Sequence, residues 1–216
     1  MQPPWRRWLK PHEAVDDGRW VVLDVEASGL DAAHDRLLAI AALGVHIGAG
    51  RARVTLADSF EVVLRQPHDK DMPDKANILL HGIGVGVQRN GVEPAQALLA
   101  FTRFVARSPL VAFHAAFDRR LIERSLRSAG LPRPDNPWLD LEPVAAVLHP
   151  DVRARALDDW LAHFRIRCAQ RHQAAADTLA TAELLLRLWP RLLEQLRQPG
   201  IHAARELAGQ RRWLAR

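Results

Sequence analysis

The chain has 216 residues, a single cysteine at Cys168 and a net charge of +5, with a sequence pI near 10.5. This length buries a core without covalent staples, and one cysteine excludes an intramolecular disulfide framework, so a reducing, cytoplasmic setting is expected. No run of about 18 apolar residues reads as a membrane span, and "MQPPWRRWLK" lacks the apolar centre of a signal peptide. The basic excess favours a polyanionic partner such as nucleic acid. Because 27 of the 30 basic residues are arginine in an alanine-rich chain, coding composition accounts for it as well.

In chain order, residues 1–19 read as an irregular or short helical lead-in. Three strand-like runs follow: 20–25 ("WVVLDV"), 37–47 ("LLAIAALGVHI"), apolar enough to be central, and 58–66 ("DSFEVVLRQ"), which alternates like an edge strand. Short turn-rich links make them an antiparallel meander. Residues 67–93, rich in Pro, Asp and Gly, read as a long functional loop with one helical turn around "NILLHGI". A helix is expected over 93–107, with proline near its start, a buried strand over 109–114, and a helix over 118–130 stopped by Gly130. A last short strand (137–141) leads to a short helix ending near His149, a helix over 156–164, and a long helix over 172–196 containing Pro190. Residues 197–216 read as a basic amphipathic helical tail, solvated by default. Antiparallel strands followed by alternating helix and strand give a mixed sheet with helices packed on it.

Within "VVLDVEASGL", Asp24 and Glu26 are two residues apart. Side chains alternate along a strand, so both carboxylates share one face. Unpaired, they repel and lose hydration, and no Lys or Arg lies within the stretch. A divalent cation resolves the conflict, and oxygen ligands suit Mg²⁺ or Mn²⁺. The bland alternative has one carboxylate capping the turn and the other solvated. Further along, "HAAFD" places Asp118 after an apolar strand, and "RHQAAADTL" places His172 and Asp177 five residues apart at a helix entry. Four carboxylates can hold two metal ions that clamp a phosphodiester, and a neutral histidine can take a proton from the attacking water.

"DVEASGL", "HAAFD" and His-x4-Asp, in that order, resemble the three motifs of the DEDDh 3′→5′ exonuclease (DnaQ-like) superfamily, and most of all the epsilon-type proofreading subunits of bacterial DNA polymerase III. The resemblance runs from about Trp20 to Leu188. It implies an α/β, ribonuclease-H-like mixed five-stranded sheet flanked by helices, with an exonuclease domain over 20–196 and a C-terminal helical extension. It implies Asp24, Glu26, Asp118 and Asp177 as metal-binding carboxylates for two Mg²⁺ or Mn²⁺ ions, and His172 as general base. Ala27, Ser28, Gly29, Leu30, His81, His114 and Phe117 become candidate nucleic-acid contacts, with Leu30 wedged against a base and His81 near the scissile strand. Asp140 is expected to be structural. The implied partners are single-stranded 3′ ends and a DNA polymerase subunit, without a membrane.

Two departures touch substrate contacts. Ala27 stands where the family has a threonine, and Phe113-His114 where it has His-Asn, so His114 either replaces the lost donor or packs under the site. RNA 3′→5′ exonucleases of the RNase T and oligoribonuclease kind carry the same motifs, and a non-catalytic nucleic-acid-binding module on the same fold is the third alternative. The remaining histidines read as surface or satisfied polar groups, and "WRRW" (5–8) as packing rather than a strand-stacking site. "QALLAF" (96–101) fits a sliding-clamp peptide only loosely, because it lies in an expected helix.

Overall fold

The computed structural model describes residues 14–67, 75–196 and 200–211. "WRRW", His12 and His68 lie outside them, as does most of "RRWLAR". The sheet is built from β1 (Arg19–Ala27), β2 (Leu37–Gly48), β3 (Arg51–Val63), β4 (Leu110–Ala112) and β5 (Trp138–Asp140). Their order is β3-β2-β1-β4-β5; β1/β2 and β2/β3 pair antiparallel, β1/β4 and β4/β5 parallel. This is the expected mixed five-stranded sheet, and β1 is the strand at which its sense changes.

Alternation along β1 sorts the core into two halves. Trp20 and Val22 face a cluster with Trp160, Leu184 and Leu188 from the helices α5 (Leu141–Leu148), α6 (Leu157–Phe164) and α7 (Ala174–Gln195). Val21, Leu23 and Val25 face the opposite cluster, filled by Leu98 and Phe101 of α3 (Pro94–Val105) and Leu121 and Ile122 of α4 (Ala116–Ser128). Asp24 and Glu26 continue the parity of Trp20 and Val22, so they fall on the α7 side just where that core ends.

Several boundaries move. β3 begins at Arg51, earlier than expected, because its first half is an edge with no buried residue to mark it. The stretch 67–93 holds two short helices rather than one turn, α1 (Lys75–His81) and α2 (Val85–Arg89). Glu93 caps α3, its carboxylate accepting the Gln96 N–H at 3.0 Å. Phe101 and Leu98 are buried in that helix, which removes "QALLAF" as an extended clamp peptide. α7 runs as one element through Pro190. The final helix α8 (Ile201–Gly209) is not a solvated tail: Ile201, Ala204 and Leu207 enter the core beside α5. No described helix is long and apolar enough to cross a membrane.

Candidate active site

A cleft of about 530 Å³ opens at the C-terminal end of β1 and receives residues from five places in the chain. β1 delivers Asp24 and Glu26; a register shift between Glu26 and Ala27 ends the ladder there, and such irregularities re-aim side chains. The β4–α4 turn delivers Phe113 and His114, and the first turn of α4 delivers Phe117 and Asp118. The entry and first turn of α7 deliver Arg171, His172 and Asp177. The sequence-predicted carboxylates and His172 therefore share one cavity.

Each acid is held differently. Asp118 is buried, and burial pushes its pKa up to about 8 against the lowering influence of its own and the Val25 backbone N–H groups. Asp24 is held well above the usual carboxylate range, chiefly by burial and then by the charges of Asp118, Glu26 and Asp177. Glu26 is raised to about 8 by burial and by Asp177. The cleft is thus short of positive charge. Arg171 supplies part of it: its guanidinium pairs with Asp177 and with Asp158 on α6, and it pulls both Asp24 and Glu26 downward. Asp177 also accepts the His172 backbone N–H at 2.9 Å and the Cys168 thiol at 3.4 Å.

The donor set, carboxylate oxygens with surplus negative charge, has the chemistry of an Mg²⁺ or Mn²⁺ site. Among the described residues no three His, Cys, Asp or Glu side chains are close enough to hold an ion as they stand. Asp177 is turned instead onto Arg171. That arginine was invisible to the argument from "VVLDVEASGL", because the balancing cation comes from a distant segment.

The backbone at the rims is unusual. His114 and His172 both have φ +60°, two of the five described non-glycine residues with positive φ. Left-handed backbone costs a non-glycine residue on the order of 1–3 kcal/mol, and such strain gathers at functional sites. The His114 N–H donates to Asp140 Oδ1 at 3.0 Å, and the same oxygen accepts the Glu142 N–H at 3.1 Å to cap α5. Asp140 is structural, as expected. The His114 ring is exposed and lies tilted by 46° against Phe113, with 4.6 Å between ring centroids, so it does not pack underneath the site.

Of the expected nucleic-acid contacts, Ala27, Gly29, Leu30, His114 and Phe117 line the cleft. Leu30 is 92% exposed, and Leu80 of α1 lines the same cleft. Ser28 does not line it; its hydroxyl bonds Asp35 Oδ1 at 2.8 Å and shapes the loop. A Cβ on Gly29 would stand 2.5 Å from the Asp35 carboxylate, so only glycine fits there without moving that staple. His81 corrects the expectation: it is 3% exposed and its Nδ1 accepts the Ile83 N–H at 2.9 Å, which turns the ring into the protein and away from the cleft. Asn77, not anticipated, takes the place on that helix, its side-chain amide donating to the Ala27 carbonyl at 3.0 Å.

Residues 21–185 match the RNase T family model, described as Exonuclease. The PolC-type DNA polymerase III of Bacillus cereus is 30% identical over 185 residues, which are 85% of this chain and 12% of that protein. The corresponding protein of Bacillus subtilis is 28% identical over 179 residues, which are 82% of this chain and again 12% of the relative. The chain thus spans about an eighth of the curated relatives it matches. Among solved structures, exonuclease I superposes with a TM-score of 0.67 at 18% identity, covering 82% of this chain and 44% of that one. Its Escherichia coli form in complex with a dT13 oligonucleotide gives 0.67 at 19%, covering 82% and 43%. Cell-death related nuclease 4 gives 0.68 at 13%, covering 79% and 63%. At such identities these likenesses establish the fold.

Proposed function

The chain belongs to the Exonuclease family, and on that premise we propose that it is a divalent-metal-dependent 3′→5′ exonuclease. It hydrolyses the terminal phosphodiester of single-stranded or frayed DNA and releases nucleoside monophosphates. The observation that carries this reading is the convergence of Asp24, Glu26, Asp118 and Asp177 on one cleft with His172 at its rim. DNA is favoured because the relatives are DNA polymerases and exonuclease I holds dT13 in the cognate fold. The same relatives support work beside a polymerase, as in proofreading.

Asp24, Glu26, Asp118 and Asp177 would hold two Mg²⁺ or Mn²⁺ ions. Bound there, the metals stabilise charge developing on the phosphate and make water a better nucleophile. The chain's own residues do the rest. His172 presents an exposed imidazole that accepts the water proton on a ring nitrogen. Asp177, bonded to the His172 backbone, fixes where that ring stands. Leu30, Leu80 and Phe117 offer apolar faces to the terminal base, and Gly29 lets the nucleotide approach the backbone. Arg171 keeps Asp158 as a partner when Asp177 turns into the cleft.

The test is a time course on 5′-labelled DNA and RNA oligonucleotides with free or blocked 3′ ends, in Mg²⁺, Mn²⁺ and EDTA. Free 3′ DNA ends should shorten one nucleotide at a time only with metal. Asp24→Asn should abolish the ladder, and His172→Gln should slow it by about 10²–10⁴. An Asp24→Asn protein as fast as wild type overturns the site, and faster shortening of RNA overturns the substrate.

A further inference from the structure

Helix α4 does two things. Its first turn gives Asp118 to the cleft, while another face carries Arg120, Arg124 and Arg127 at i, i+4 and i+7 along a separate groove of about 650 Å³. Groove and cleft adjoin across a single turn: Phe113, His114 and Phe117 line the cleft, and Ala115 and Ala116 line the groove. The far wall is Trp138, half-buried on the edge strand β5.

The acids in the groove are already engaged. Glu123 is held by Arg119 at 2.7 Å and Arg133 at 3.3 Å, and Asp140 is committed to the His114 and Glu142 backbone. Arg124 is anchored on the Ala33 carbonyl. Arg120 and Arg127 form no salt bridge among the described residues. Beyond Trp138 the surface continues into a second depression that carries Arg205, together with Arg211, whose guanidinium is paired with Glu142. A row of guanidinium groups repeating every 5–6 Å or so along a helix, beside an aromatic ring, matches a flexible chain of phosphates whose bases can stack.

We infer that this groove is a track for the phosphate backbone of a nucleic-acid single strand, upstream of the end held in the cleft. Arg120, Arg124 and Arg127 hold successive phosphates, and Trp138 gives one base a stacking face. The direction of the strand rests on the proposed function of the cleft; the affinity of the groove for a single strand does not.

Fluorescence anisotropy with labelled dT3 and dT15 in EDTA, where nothing is cleaved, tests it, and rU15 shows whether the sugar matters. Wild type should bind dT15 far more tightly than dT3. Arg120→Ala/Arg127→Ala should bind dT15 about tenfold more weakly, with a log–log salt slope reduced by about 1.4, the share of two phosphates on a single strand. The charge-matched control is Arg51→Ala/Arg53→Ala, on the opposite edge strand β3; it should keep wild-type affinity. Equal losses in both variants, or none in the groove variant, overturn the track. A wild type that cleaves nothing yet shows the expected binding pattern overturns the function of the cleft and leaves the track standing.

Discussion

Glu26 holds its proton in the folded protein up to about pH 8, whereas an ordinary glutamate releases it near 4.5. Between those values the unfolded chain has lost a proton that the folded one keeps. The metal-free protein therefore loses stability as pH rises through that window. Asp118, also raised to about 8, and Asp24 act in the same direction. In EDTA, the thermal midpoint of wild type should fall from pH 5 towards 8, and Glu26→Gln should flatten part of that fall. A wild-type curve that stays level or climbs would contradict the raised proton affinity of these buried acids. Asp24 and Glu26 were legible from period-two alternation along β1, whereas Asp118 and Asp177, each in the first turn of a helix, were legible only from the motifs around them. Arg171 was not, since adjacency to His172 says nothing of where a long, flexible side chain lands. The inward turn of His81 depends on a bond to Ile83 that no motif announces.

Elements position these residues through a few bonds across the ends of helices. Asp140 is the clearest case, because one carboxylate oxygen both caps α5 and holds the left-handed His114 in the turn before Asp118. Asp140→Ala should cost about 1–2 kcal/mol, read by chemical denaturation. It should also lower turnover several-fold by loosening that turn, and Asp140→Asn, which keeps an acceptor, should recover part of both. Unchanged turnover in the alanine variant would separate the turn from the chemistry. The long helices and β1–β2 were readable from runs of apolar residues. The first half of β3 was not, since on this edge strand only Ala52 and Val54 turn to the core, and both stay partly buried. The two helices α1 and α2 are too short to declare a period against glycines and prolines.

At the scale of the molecule, the lead-in and the last helix meet. Asp17 Oδ1 accepts the Ile201 N–H at 2.9 Å, satisfying the start of α8, which has no side-chain cap of its own. The arginines that follow the helix, Arg211, Arg212 and Arg216, concealed this, because they make the whole stretch read as a basic tail while the helix itself has three buried positions, one arginine and one glutamate. Asp17→Ala should destabilise by about 1 kcal/mol, a drop of roughly 2–4 °C in Tm. Hydrogen exchange should quicken selectively over α8; uniform protection there would show that Asp17 contributes nothing. The clasp has a wider consequence. A polypeptide that enters and leaves a domain through one doorway can carry it as a cassette, its two joints side by side and its neighbours undisturbed.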